Sequence, residues 1–216
     1  MYKVADFSNV DSIAVLCRGK SIEYLKNIYS DFNHCFLVGQ FDNALKKISK
    51  YLTNKKIVQI INKCAIKPCK KKLMKINIQD IQCNFGSYFG EEMDIDKKRL
   101  YKKILKLNAW AKVHLVPLGL CARRPFKKWC TCGIYGVDMA AFYQPKKIII
   151  LGLDFYCSEY FSREKIQTTI ASNKKRKNEM ISNLYDIINR DKNIMFYLYT
   201  KCKELKSKDN LVVKYV

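Results

Sequence analysis

Only two of the 216 residues are histidine, His34 and His114, so imidazole chemistry has two possible carriers. Acid is also scarce: 19 Asp+Glu stand against 41 Lys+Arg, a formal net charge of +22. Such a field draws anions, whether nucleic acid, anionic lipid at a membrane surface, or a phosphorylated small molecule. Lysine far outnumbers arginine and the chain is rich in Ile and Asn, so an AT-rich coding sequence is a second source of the same excess, as a solvated surface. No apolar run approaches the ~20 residues that a membrane-spanning helix needs. Met1 to Ser12 is polar and mixed in charge, and no secretory leader is expected. Repeats and obvious linkers are missing too, which points to one domain over 1–216. What is present is core material: 49% hydrophobic residues, with 14 Tyr and 11 Phe, which excludes a disordered chain.

There are ten cysteines. Cys17, Cys35 and Cys157 sit in apolar stretches and are expected as small buried hydrophobes in a reducing, cytoplasmic compartment. Cys64-x4-Cys69 and Cys130-x-Cys132 are a conceivable zinc set, but the spacing is not a double CxxC, and no metal is expected.

Short apolar runs recur along the chain. Ser12 to Cys17 reads as a strand, followed by the turn Arg18-Gly19-Lys20-Ser21 and a helix from Ile22, with Ser21 as its N-cap. His34 to Val38 is a second strand, ending at Gly39-Gln40, and Ala44 to Leu52 a helix. Lys56 to Ile61 is a third strand, Met74 to Ile78 an additional one, and Val113 to Leu118 another. Residues 86–103 read as a loop and a helix start, and Cys121 to Lys128 as basic and irregular. Thr131-Cys132-Gly133 is a turn, and Ile134, Val137, Ala140 and Ala141 then share one helix face up to Pro145. Lys147 to Leu153 is a nearly continuous apolar run, as in a strand buried on both faces, and it ends in Asp154-Phe155-Tyr156. Ser162 to Lys177 is polar and basic, Ile181 to Ile188 helical, and Ile194 to Leu198 and Leu211 to Val213 are strands.

Strands alternating with helices predict an α/β, Rossmann-like fold with a mostly parallel sheet. Ligands of such sheets bind at the carboxyl ends of the strands. That gathers Arg18, Gly19, Ser21, Gly39, Gln40, Thr131, Cys132, Gly133, Asp154, Phe155 and Tyr156 at one edge. Asp154 has a structural alternative, as a cap for a helix or a partner for a basic residue. Ala14-x4-Gly19-Lys20-Ser21 also matches the loose form of a phosphate-binding P-loop, which keeps a P-loop nucleotidase open.

The passage from Thr131 to Tyr156 resembles the small bacterial sialyltransferases. These have a Thr/Ser-Ser-Gly turn, an Ala-rich helix and a strand ending in Gly-Ile-Asp-Phe-Tyr. Ile13 to Ile22 and Asp31 to Asp42 resemble the family's first two strands, with Gly19 and Ser21 matching its first turn. The resemblance covers about half of the chain. It implies a Rossmann-like, metal-independent, inverting glycosyltransferase that uses a CMP-activated sugar and a glycan acceptor, with no other cofactor. Thr131, Cys132 and Gly133 would lie by the donor, Asp154 would hold it, and Tyr156 would donate to the leaving phosphate. Arg18 and Gly39 replace the family's asparagines. The Ser162–Lys177 segment contains no histidine where the family has its base, leaving Glu159 or Glu164 for that role. A relative that kept the fold and binds nucleotide or nucleic acid without catalysis is the alternative. Oligomeric state is not legible.

Overall fold

The computed structural model describes residues 7, 9–39, 47–62, 78–85, 112–117, 130–158 and 170–216. Among the described residues eight strands form one sheet: β1 (Ser12–Leu16), β2 (His34–Val38), β3 (Lys56–Asn62), β4 (Ile78–Phe85), β5 (Lys112–Pro117), β6 (Lys147–Leu151), β7 (Met195–Thr200) and β8 (Leu211–Tyr215). Their order is β5-β4-β3-β2-β1-β6-β7-β8. Every pair is parallel, with Ile13 beside His34 in β2 and Ile148 in β6. This is the expected α/β architecture, and the apolar runs explain it. In β1 the residues Ile13 to Leu16 are all buried, because both faces of the sheet are covered.

Two helices matter for the site, α1 (Cys132–Phe142) and α2 (Ile170–Arg190). α1 packs across β1, β2, β3 and β6, over a core that contains Val15, Val38, Val58, Ile60 and Ile150. Its close approach is set at Gly136, where a side chain would press to 2.8 Å from Val38 Cγ2 and 3.0 Å from Val15 Cγ1. Asp138, fully buried on α1, forms an ion pair with Arg190 of α2, and Arg190 reaches Asp191 at 3.0 Å as well.

Several expectations need correction. The segment after β1 is a 3-10 helix over Lys20–Asn27 rather than an α-helix, and Ser21 is not its cap. Gly19 holds the cap position, and Ser21 is buried one residue inside the helix. A strand runs over Ile78–Phe85, and of the expected Met74–Ile78 strand all but Ile78 lies outside the described residues. β6 stops at Leu151, because Gly152 takes a left-handed φ of +72° that ends the pleat. α2 begins at Ile170, well before Ile181. Its first turns carry Lys174, Lys175, Arg176 and Lys177, good helix formers with no apolar face to show the period. Of the expected Ala44–Leu52 helix, the described part closes in a 3-10 turn at Ser49–Tyr51. No helix among the described residues is long and apolar enough to cross a membrane.

Candidate functional site

The strand order reverses between β1 and β6. The chain builds outward from β1 to β5 on one side and from β6 to β8 on the other. At such a switch point the loops leave in opposite directions and open a crevice beyond the strand ends. Three turns meet there. Cys17 N–H donates to Leu151 O at 2.7 Å, and Gly19 N–H donates to Gly152 O at 2.7 Å. The β1 and β6 strands therefore stay stitched together one step past the ladder. A methyl group on Gly152 would stand 2.1 Å from Cys17 O, so only glycine allows this approach.

Asp154 is the hub of the edge. It is buried, and both of its oxygens take protein donors. Oδ2 accepts from Ser21 N–H at 2.9 Å and from Ser158 Oγ at 2.7 Å. Oδ1 accepts from Lys201 N–H at 3.0 Å and lies 3.3 Å from Thr200 Oγ1, whose hydroxyl also faces Leu153 O at 3.2 Å. Ser21 answers from the other side, its Oγ accepting from Gly152 N–H at 2.9 Å. One carboxylate thus fixes the start of the 3-10 helix, the end of β7 and the turn after β6. A carboxylate at a helix start also meets the positive end of its dipole.

The third element is the N-terminus of α1. Thr131 is its N-cap, with Oγ1 accepting from Ile134 N–H at 3.4 Å. Gly133, on the first turn, is so close to the sheet that a side chain would meet Leu153 Cδ1 at 2.8 Å and Cys17 Sγ at 3.2 Å. The helix start therefore lies against the ends of β1 and β6, and the N–H groups of a helix start favour an anion. Arg18, half-buried, lies along the same edge, with Cδ 3.1 Å from where a side chain on Gly39 would begin. Gly39 has φ +92°, held by its N–H donating to Ile60 O at 2.7 Å and by Gln59 Nε2 donating to its carbonyl at 3.1 Å.

Phe155 and Tyr156 both adopt left-handed φ, +50° and +60°. Two consecutive bulky residues in that region are strained, and such strain persists where surroundings over-determine it. Phe155 is buried in the core and Cys157 N–H closes the turn onto Asp154 O at 2.7 Å. The turn leaves Tyr156 half-buried at the edge and turns Cys157 outward. Cys157 was expected in the core; the turn breaks the strand alternation that would have put it there. Cys17 and Cys35 are buried as expected, and burial pushes both thiols up, Cys35 to about 12.

The expected residues Arg18, Gly19, Ser21, Gly39, Thr131, Cys132, Gly133, Asp154, Phe155 and Tyr156 thus share one edge. Gln40, Glu159 and Glu164 lie outside the described residues, as do Cys64 and Cys69. Tyr185 is partly buried against the core. Gly19 and Ser21 act inward, through bonds to Gly152 and Asp154. That differs from a P-loop, whose backbone N–H groups must point at phosphate. Ala14 to Leu16, moreover, is strand rather than loop. Sequence reasoning missed Ser158, Thr200 and the Lys201 N–H. Ser158 gave no signal, and the other two need the β6–β7 pairing to be known.

Neither histidine stands at this edge. His34 begins β2, at the opposite end of the sheet, where its ring packs on Phe7 with centroids 4.9 Å apart. Burial, and then Lys56, lower its pKa. His114 is in β5, four strands from β1, or roughly 19 Å at ordinary strand spacing.

Comparison with solved structures places the fold. The sialyltransferase CstII of Campylobacter jejuni, solved with the substrate analogue CMP-3FNeuAc, superposes with a TM-score of 0.55 at 16% identity, over 90% of this chain and 82% of that one. The monofunctional alpha-2,3-sialyltransferase Cst-I of the same organism gives 0.56 at 17% identity, over 94% and 79%. CstII solved with a trisaccharide acceptor and CMP gives 0.51 at 18%, over 89% and 82%. No family model and no curated protein sequence matches the chain. The chain has the sialyltransferase-like, glycosyltransferase-type fold.

Proposed function

We propose that this protein is a sialyltransferase-like glycosyltransferase, moving a sugar from a CMP-activated donor to a hydroxyl of a glycan acceptor. The observation that carries the reading is the β1–β6 switch point, with the N-terminus of α1 packed beside the strand ends. Helix N–H groups at Cys132 and Gly133 meet the donor phosphate, and Arg18 adds positive charge beside Gly39. The acceptor hydroxyl attacks the anomeric carbon with inversion while CMP leaves. Tyr156 donates to the departing phosphate, Phe155 anchors the turn that aims it, and Asp154 holds the donor edge in place through Ser21, Ser158 and Lys201. No step needs a metal or a further cofactor. The base comes from the segment after Tyr156, at Glu159 or Glu164.

Calorimetry with CMP and with its sialic acid conjugate tests this. Binding at or below millimolar concentration is expected, weakened at least about tenfold by Arg18→Ala, since a lost charged hydrogen bond costs about 1.5–3 kcal/mol. No binding at millimolar concentration sinks the proposal. Glu159→Gln or Glu164→Gln lowers turnover with CMP affinity intact if that residue is the base. The absence of histidine from Ser162 to Lys177 favours a second reading, a nucleotide-binding relative without catalysis. CMP binding with neither transfer nor donor hydrolysis would establish that one.

A further inference from the structure

Behind the Asp154 hub lies a cluster that plays no part in the proposed transfer. Cys157, Cys202 and Glu204 bring two sulfurs and a carboxylate oxygen within 4.8 Å of one another. We propose that these three residues form a binding site for a thiophilic divalent cation of the zinc class.

The ligand set fits the chemistry. Zinc takes thiolate at about 2.3 Å and carboxylate at about 2.0–2.2 Å, so tetrahedral ligand edges are roughly 3.5–3.8 Å. The atoms need to close by roughly 1 Å at most, which side-chain rotation supplies. Cys157 and Glu204 are exposed and Cys202 is buried, so the site has a solvent side for entry and a rigid inner side. Three protein ligands leave a fourth position for water.

The backbone that carries the ligands is already fixed. Cys157 N–H bonds Asp154 O at 2.7 Å. Lys201 N–H bonds Asp154 Oδ1 at 3.0 Å, and Cys202 N–H bonds Thr200 Oγ1 at 3.1 Å. One residue thus anchors both sulfur-bearing turns, so little ordering entropy remains to oppose binding.

Charge agrees as well. Lys177 of α2 is ion-paired with Glu204. Binding exchanges two thiol protons for one divalent cation. The two thiolates and Glu204 give three negative charges against two on the metal, and Lys177 supplies the remaining positive one. The ammonium therefore serves as an outer partner of the carboxylate, the kind of contact that orients metal ligands. The bound ion ties the Tyr156 turn to the β7–β8 loop. This inference stands apart from the sugar-transfer reading, which routes no step through a metal.

The test is a cobalt titration of the full-length reduced protein without oxygen. A thiolate-to-cobalt charge-transfer band and a tetrahedral visible spectrum are expected, saturating with these two sulfurs and displaced by zinc. Cys157→Ser, at an exposed position that leaves the fold intact, should weaken cobalt binding at least about a hundredfold, and Glu204→Gln should weaken it less. Cys130→Ser should keep the band. Absence of the band, a band unchanged in Cys157→Ser, or one lost in Cys130→Ser overturns the proposal. So does a reduced protein that forms a Cys157–Cys202 disulfide in air at the same rate with and without zinc.

Discussion

Asp138 and Asp154 are both buried carboxylates, and the protein satisfies them in opposite ways. Asp138, in the middle of α1, meets the guanidinium of Arg190 on α2. Asp154, past the end of β6, meets two backbone N–H groups and two hydroxyls, all neutral. The first joins two helices through one long side chain, Arg190, which keeps a second partner in Asp191. The second joins three turns through short, fixed dipoles. A charge pair tolerates sliding; backbone donors at 2.9 and 3.0 Å do not. The difference teaches where the molecule holds position most closely, which is the edge where β1, β6 and β7 end.

Breaking the tighter of the two should cost more. Asp154→Ala strands the buried Ser21 N–H, at about 2 kcal/mol, and the part-buried Lys201 N–H, at about 1 kcal/mol, so a loss of roughly 3 kcal/mol is expected. For a chain of this length that lowers the melting temperature by roughly 10 °C, readable by circular dichroism. An unchanged melting temperature would mean that the hub is solvated and adjustable.

Asp138→Ala removes the helix-helix pair but leaves Arg190 partly exposed and bonded to Asp191. A loss of about 2 kcal/mol is expected in urea unfolding, below the usual cost of breaking a fully buried pair. If it exceeds the Asp154→Ala loss, the ranking of the two regions is wrong. The double variant sharpens the comparison further. The partners named for the two carboxylates differ, so their losses should add within about 0.5 kcal/mol. Clear non-additivity would show that α1 transmits strain from one to the other.

The smallest effect belongs to the far end of the sheet. Burial and Lys56 keep the folded-state pKa of His34 below its unfolded value. A lowered histidine pKa means that the unfolded chain takes up the proton first. Stability is therefore intact above the unfolded pKa of about 6.5 and declines as pH falls below it. His34→Leu should flatten that decline between neutral pH and about pH 5. A decline that survives the substitution would place the acid-sensitive group elsewhere.

Much of this edge was legible in the chain. Continuous apolar runs such as Ile148-Ile149-Ile150-Leu151 between turn signals are the pattern of strands covered on both faces, as in a parallel sheet. Gly39, Gly133 and the Asp154-Phe155-Tyr156 ending mark the turns that must leave it. What failed to show is equally specific. Ile170 to Arg176 carries almost no apolar period, so the start of α2 was hidden. Cys157 looked buried because two left-handed residues in a row cannot be foreseen from their neighbours.

Local pattern therefore determined the elements and the residues that stand at their ends, because burial of a face imposes a period on the sequence. Only the tertiary structure decided what those ends do to one another. The order β2-β1-β6-β7 brings Ser21, Asp154, Thr200 and Lys201 together from positions up to 180 residues apart. Hydrogen bonds between strand ends depend on which strands are neighbours, and nothing in the local spacing of residues encodes that choice.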